Sequence, residues 1–599
     1  MLSHDGQTSG FDQRLHLTHP EGAAMSLVME TNCVTLCSFD SQDAVERDCK
    51  QLRSTQTPPS LPRWLSGLCT THWPMTLRVV QRPDSTETSS AGGMVLGPIR
   101  EVARAIVVLF IIGSVLSADA RAAQLQAGAA KVDITNREAG PVNDPLWVKA
   151  LVIKSDKTTA VIVTVDAVAI GQIGHIKNDY LEKVRTRIEK ELGIKPTNVM
   201  VNASHCHGVV CSDVDERTFQ AVQQATKNLV PVNVGVGIGH EDRISENRRL
   251  KLKNGKELDV RHAYSMPADE DVVEVGPIDP EIGILRFDRN DGQTVAVVYH
   301  FAMHPIMGVA NGGNTADVTG FASKVIEDNL SEGTIALFVQ GCGGDINPMN
   351  YKDVEHPRSA EPLGNMLGLS TLQALRKIRS KAEERLTVIN ETLTLPRADL
   401  AERIASLEAE QAKQLKSLTG TSLNLKTFLP LVVKYNLSEE FPSYYSHRYL
   451  HEKKLGREEW SKLDENNRRN MQQYIANIQT MEKLTHTQTN LALLKMHQAQ
   501  NIAAGKRTID TELVGMRIGD ATIVTFPGEL TVQIGLNIKK KSPHPRTFVA
   551  GYTNGYIYYS PTAEQLLNVG GAQEDSDCIL APEWQGMFEA RVAEILKKL

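Results

Sequence analysis

The chain has 599 residues, enough for one large domain or several ordinary ones. Its 65 Lys and Arg against 71 Asp and Glu leave a formal charge of −6, with no basic run dense enough for nucleic acid and no acidic tail. Apolar residues make up 41 % and aromatics 5 %, a globular composition with a largely aliphatic core. The eight cysteines lack repeated zinc-ribbon spacing, which argues against a structural zinc finger and against a disulfide scaffold.

In chain order, residues 1–93 show no sustained periodicity and read as a spurious or disordered N-terminal extension. Residues 94–122 have the layout of a secretory signal peptide. Arg100 and Arg104 form its basic start, Ala105 to Leu116 its apolar stretch, and "ADA" and "ARA" its cleavage sites. The apolar stretch is well short of the roughly 20 residues that a spanning helix needs. Met94 is therefore the expected start of translation. The mature protein is expected to be exported, to the periplasm or beyond, with no transmembrane segment.

Residues 123–396 alternate β-branched stretches ("TTAVIVTVDAVAI", "TNVMVNAS", "TVAVVYHFAMHP", "TIALFVQG") with helical ones. "IGHIKNDYLEKVRTRIEKELG" places Ile176, Tyr180, Leu181, Val184 and Ile188 near 3.6 spacing and stops at Gly193. This alternation predicts an α/β catalytic domain with a mixed sheet and its chemistry on loops after strand ends. Residues 397–507 are charged and helical, a long insertion, with a Met471, Tyr474, Ile475, Ile478, Met481 packing stripe. Residues 508–599 return to α/β character and complete the domain.

Several polar residues sit at apolar strand ends. In "NASHCHG", His205 and His207 follow a strand, and extended backbone would turn both rings to one face. His304 precedes Pro305, which favours extended backbone. Glu529 in "TFPGEL" falls after a Pro-Gly turn, where a helix start would favour a carboxylate. Tyr559 ends "NGYIYY". Two histidines, a carboxylate and an open position make a known kind of catalytic zinc site, in which the ion acidifies water and polarises a carbonyl. "QGCGGDINP" (340–348) adds a glycine turn whose N–H groups, Gly344 included, could hold an oxyanion.

"GAAKVDIT", "NASHCHG", "FAMHP", "GCGGDINP", "FPGE" and "NGYIYY", in this order, resemble the neutral, non-lysosomal ceramidases and their bacterial relatives. These are zinc amidases that split ceramide into sphingosine and fatty acid. The resemblance implies Zn2+ on His205, His304, Glu529 and Tyr559, with Tyr556 the neighbouring alternative to the last. It implies His207 at the reacting group and Arg248, or Arg249, in the substrate pocket. Asp317 falls in a family-like stretch with no role assigned. Three departures stand out. Asn347 occupies the family's serine position in Gly-Asp-x-Ser-Pro, "NVGGAQ" stands where a tyrosine is expected, and a C-terminal immunoglobulin-like domain after Tyr559 is not expected. An asparagine cannot act as that serine does, but it can hydrogen-bond an oxyanion or a water. The resulting expectation is an exported zinc hydrolase cleaving a small or lipid-like amide with a zinc-activated water. An esterase, or a binding protein that kept the fold and metal, is the alternative. Oligomeric state is not legible.

Overall fold

The computed structural model describes residues 16–18, 24–26, 124–260, 267–351, 353, 355–435, 446–457, 459–568 and 571–599. The expected signal peptide at 94–122 lies outside the described residues, as does nearly all of the extension before it. His16–Thr18 and Ala24–Ser26 pair antiparallel.

The β-branched runs form β1 (Gln126–Asp133), β2 (Trp147–Lys154), β3 (Thr159–Val165), β4 (Val199–Ala203), β5 (Val230–His240), β6 (Glu281–Arg289), β7 (Thr294–Phe301) and β8 (Ile335–Gln340). They assemble in the order β8-β7-β6-β5-β1-β2-β3-β4. The sheet is mixed: β3/β4 and β7/β8 are parallel, and the pairs between them are antiparallel. A parallel pair needs a crossover, and each has a helix for it. For β3/β4 this is α1 (Tyr180–Leu192), followed after β4 by α2 (Val214–Lys227). For β7/β8 it is α3 (Asp317–Asp328), followed by α4 (Ala360–Leu375). Tyr180, Val184 and Ile188 form the buried face of α1, and Gly193 ends it in the left-handed conformation at φ 66°, which glycine adopts without a Cβ clash.

A smaller sheet contains β9 (Leu386–Pro396), β10 (Thr508–Ile518), β11 (Ala521–Thr525) and β12 (Thr547–Ala550) in that order. Between β9 and β10 the chain runs through α5 (Ala401–Ser417), α6 (Leu425–Tyr435), α7 (Ser446–Lys454) and α8 (Glu459–Ala503). Leu400 and Leu407 pack there on Leu491 and Leu494. β11 and β12 are a third parallel pair, crossed by α9 (Val532–Lys541), and α10 (Trp584–Lys598) ends the chain.

The two sheets pack face to face. Leu151, Ile153, Ile162, Val298 and Leu337 of the larger meet Met516, Ile518, Ile523 and Phe548 of the smaller. Period-2 alternation sends Val148, Val152, Val161 and Val163 to the opposite face, against α1 and α2. Tyr299, Phe301 and Phe338 meet α3 and α4. The architecture is α/β, with helices outside two stacked sheets. Among the described residues no helix is long and apolar enough to cross a membrane.

The Asn202 side chain, fully buried at the end of β4, ties three strand ends together. Its Nδ2 donates to Gly551 O (2.8 Å) and Thr553 Oγ1 (2.9 Å) after β12, and its Oδ1 accepts from Gln340 N (2.8 Å) at the end of β8. Asn202→Leu, with the same number of side-chain heavy atoms, would strand the buried Gln340 N–H, while Thr553 Oγ1 would still donate to Gly551 O at 2.7 Å. The expected loss is about 1–3 kcal/mol of unfolding free energy, read from urea denaturation.

Candidate metal centre

The candidate metal ligands and the loop beside them follow the C-terminal ends of strands in the three parallel pairs. β4 leads to His205 and His207, and β7 to His304. β8 leads to 341–347, β11 to Glu529, and β12 to Tyr552, Tyr556 and Tyr559.

His205 does not continue the strand. β4 ends at Ala203, and His205 has φ 66°. The expected extended placement of the His205–His207 pair is corrected here. Hydrogen bonds from Ser204 N to Val165 O and from His205 N to Ala167 O (both 2.9 Å) turn the chain instead. A left-handed non-glycine residue is strained, and such strain persists where surrounding contacts fix it. The turn buries His205 and leaves His207 exposed to solvent, with the two rings edge-on at 5.5 Å. Cys206 between them is fully buried in the core.

His205 Nδ1 lies 2.6 Å from Val168 O, and His304 Nδ1 lies 2.5 Å from Gly343 O. These carbonyls accept the Nδ1 protons and leave the Nε2 lone pairs to face inward. Glu529 Oε2 stands 3.1 Å from His304 Nε2 and 3.6 Å from His205 Nε2. All three side chains are buried, and their ligand atoms lie within 4.8 Å of one another. Tyr559 OH lies 3.2 Å from His304 Nε2. Tyr556 takes a different place: its hydroxyl donates to Glu529 Oε1 at 2.5 Å, while Tyr552 donates to Oε2 at 3.2 Å.

Glu529 does not start a helix. Residues 529–530 form a short parallel ladder with Tyr559–Ser560, and α9 begins at Val532. The carboxylate at the N-terminus of α9 is Asp345, which accepts from Val532 N at 2.8 Å. The Gly344 N–H donates to Leu530 O at 2.9 Å, so it is not free for an oxyanion. A Cβ on Gly344 would stand 2.7 Å from Glu529 O, so glycine is what lets this loop approach the carboxylate strand.

Arg248 is fully buried. It donates to Glu574 Oε1 and Gly344 O (2.5 Å each), Asn347 Oδ1 (3.1 Å) and Tyr559 OH (3.2 Å). Arg249 points elsewhere, to Asp575 and Glu257. With its Oδ1 held by Arg248, the fully buried Asn347 leaves Nδ2 without a hydrogen-bond partner among the described residues. Asp317, at φ 55°, accepts from Met307 N (3.2 Å) and Gly308 N (2.6 Å), and so fixes the turn after His304. Burial pushes its carboxyl up to about 6.

Burial lowers the His205 and His207 imidazoles to about 4, so both are neutral at pH 7. The His207 ring is nonetheless exposed to solvent, unlike that of His205. Burial alone would raise Glu529, but His205, His304 and the Tyr556 hydroxyl outweigh it and hold the carboxyl well below its usual range. A buried carboxylate beside inward-facing imidazole nitrogens is a donor set that fits a divalent ion such as Zn2+.

No protein-family profile matches the chain, and no curated protein matches it. Among solved structures, the neutral ceramidase from Pseudomonas aeruginosa aligns over 80 % of this chain and 75 % of its own, at TM-score 0.50 and 16 % identity. A structure described as ceramidase complexed with C2 aligns over 79 % and 75 %, at TM-score 0.49 and 18 % identity. The chain has a ceramidase-like fold.

Sequence reasoning missed Asn202, Tyr552 and Glu574. Asn202 stood inside "NASHCHG" unremarked, Tyr552 follows β12 and fits the strand-end pattern that could have found it, and Glu574 lies outside that pattern. Tyr556→Phe removes one hydrogen bond to the carboxylate and should weaken Zn2+ binding about 10–100-fold in a chelator competition titration. A second expectation concerns metal-free protein. His205 and His300 are lowered from 6.5 to about 4 in the fold. The unfolded chain therefore binds more protons at these two sites in that window, so the stability of wild type relative to His300→Gln should fall as pH drops from about 6.5 towards 4. Asp166, Asp317 and Asp575, raised to about 6, act in the opposite direction in both proteins. Urea titrations across that range, in chelator, read the effect.

Proposed function

We propose that this protein is an exported zinc-dependent hydrolase that cleaves the amide bond of a small or lipid-like N-acyl substrate. The observation that carries the reading is the buried meeting of His205, His304 and Glu529 beside Tyr559, with the unpaired Asn347 donor close by. The ceramidase-like fold supports the amide class. The apolar stretch Ala105–Leu116 and the A-x-A sites after it support export.

His205, His304 and Glu529 would hold the metal, with Tyr559 as the fourth group. A zinc ion there supplies Lewis acidity towards the carbonyl and lowers the pKa of water. The neutral, accessible His207 accepts a proton as water attacks the carbonyl and returns it to the leaving nitrogen. Asn347 Nδ2 donates to the oxygen on which negative charge develops. Arg248 touches both Asn347 and Tyr559, and fixes the amide's orientation and the hydroxyl's position. In this reading the family's serine is replaced by a donor that needs no activation.

The test is a panel of N-acyl amides and esters with and without chelator. Chelator-sensitive release of amine is expected, and its absence on every amide overturns the proposal. Asn347→Ala should lower kcat about 10²–10³-fold with metal content unchanged by mass spectrometry. His207→Ala should lower kcat about 10²–10⁴-fold.

A further inference from the structure

The helical segment between β9 and β10 reaches the site through one turn of α8. His497, fully buried, places Nε2 2.6 Å from Asp577 Oδ1 and its ring edge-on to Tyr558, with centroids 4.5 Å apart. Gln500 joins His497 Nδ1 (3.2 Å) to the Tyr558 hydroxyl (2.9 Å). Asn501 donates to Ile579 O at 3.2 Å, and Arg403 of α5 donates to Asp575 O at 2.5 Å.

These contacts fall on two adjoining stretches of chain. One is 556–559, whose Tyr558 O accepts from Glu529 N (3.0 Å) and whose Tyr559 N donates to Asp577 O (3.1 Å). The other is 574–579, whose Glu574 holds the Arg248 guanidinium at 2.5 Å. Arg248 in turn meets the Tyr559 hydroxyl and Asn347. His497 therefore reaches Tyr559 through Asp577, and Arg248 through the chain from Asp577 to Glu574. His497 itself touches no ligand.

We propose that His497, with Gln500, is a positioning residue. By fixing Asp577 and Tyr558 it sets where the Tyr559 hydroxyl and the Arg248 guanidinium stand, and this makes the helical segment part of the catalytic apparatus. A histidine suits the place because Nε2 engages Asp577 while Nδ1 holds Gln500, which in turn donates to the Tyr558 hydroxyl, and an apolar side chain can do neither. The proposal rests on the hydrolase reading, so its test includes a readout that needs no substrate.

The full chain is loaded with Co2+, whose visible absorption reports ligand geometry, and assayed in parallel with Zn2+. His497→Phe keeps an aromatic ring and removes both hydrogen bonds. It should shift the Co2+ spectrum and lower kcat about 10–100-fold with KM within about twofold. His497→Gln, which can still donate to Asp577, should restore the wild-type spectrum and most of kcat. Leu407→Ala loosens the α5–α8 contact without touching 556–559 or 574–579, and should lower Tm while leaving spectrum and kcat as in wild type. A wild-type spectrum in His497→Phe overturns the proposal. So does a Leu407→Ala variant that loses kcat and shifts its spectrum as much as His497→Phe. If His497→Phe does not fold, Gln500→Ala is read by the same criteria. If the wild type turns over no substrate, the hydrolase reading fails and the spectra alone judge the positioning.

Discussion

The structure depends on one buried amide. Asn202 holds the ends of β4 and β8 and the turn after β12 within a single set of hydrogen bonds. Those strands belong to three separate crossover units, and each unit delivers different donors. The two sheets would stack on hydrophobic area alone, but burial is non-directional and fixes no registry between them. A fully buried amide that satisfies donors and acceptors on three elements does fix it, because any slip leaves polar groups unpaired. Precision at the metal centre is inherited from that registry.

Around the centre, charge is handled economically. One buried carboxylate, Glu529, stands with imidazoles whose Nδ1 protons are given to backbone carbonyls. Tyr552 and Tyr556 donate to that carboxylate from the other side. The Arg248–Glu574 pair lies wholly inside the protein. Such pairs add little net stability, since desolvation offsets their attraction. Here the pair's effect is geometric: Glu574 aims the guanidinium so that its remaining donors meet Tyr559, Gly344 and Asn347.

The fold class was legible because β-branched runs and 3.6-period helices alternate clearly, and Gly193 marks the end of α1 where the periodicity stops. The histidines, Glu529 and Tyr559 were legible because each follows an apolar run, where α/β proteins keep their chemistry. What local pattern missed is tertiary. Nothing in "ASHCH" announces a left-handed residue at His205, since the turn is set by carbonyls of residues 165–167 on another strand. Glu529 reads as a first-turn acid, yet Asp345, distant in sequence, occupies that role for α9. The glycine loop reads as an oxyanion cradle, yet Gly344 spends its N–H on Leu530 and its missing Cβ on closeness to Glu529. Asn202 and Glu574 are ordinary polar letters until the chain folds.

The donors of the centre come from three crossover units spread along the chain. No single unit carries two elements of the His205, His304 and Glu529 set. A fragment still emerging from synthesis, or a chain with one unit undocked, offers a metal only isolated side chains, and long loops must close before the set exists. High-affinity metal uptake would therefore be a late event that reports completed assembly. The ion would act as a seal on the finished molecule: a chain that misfolds at any of the three joints stays metal-free, and remains open to the proteases that clear it.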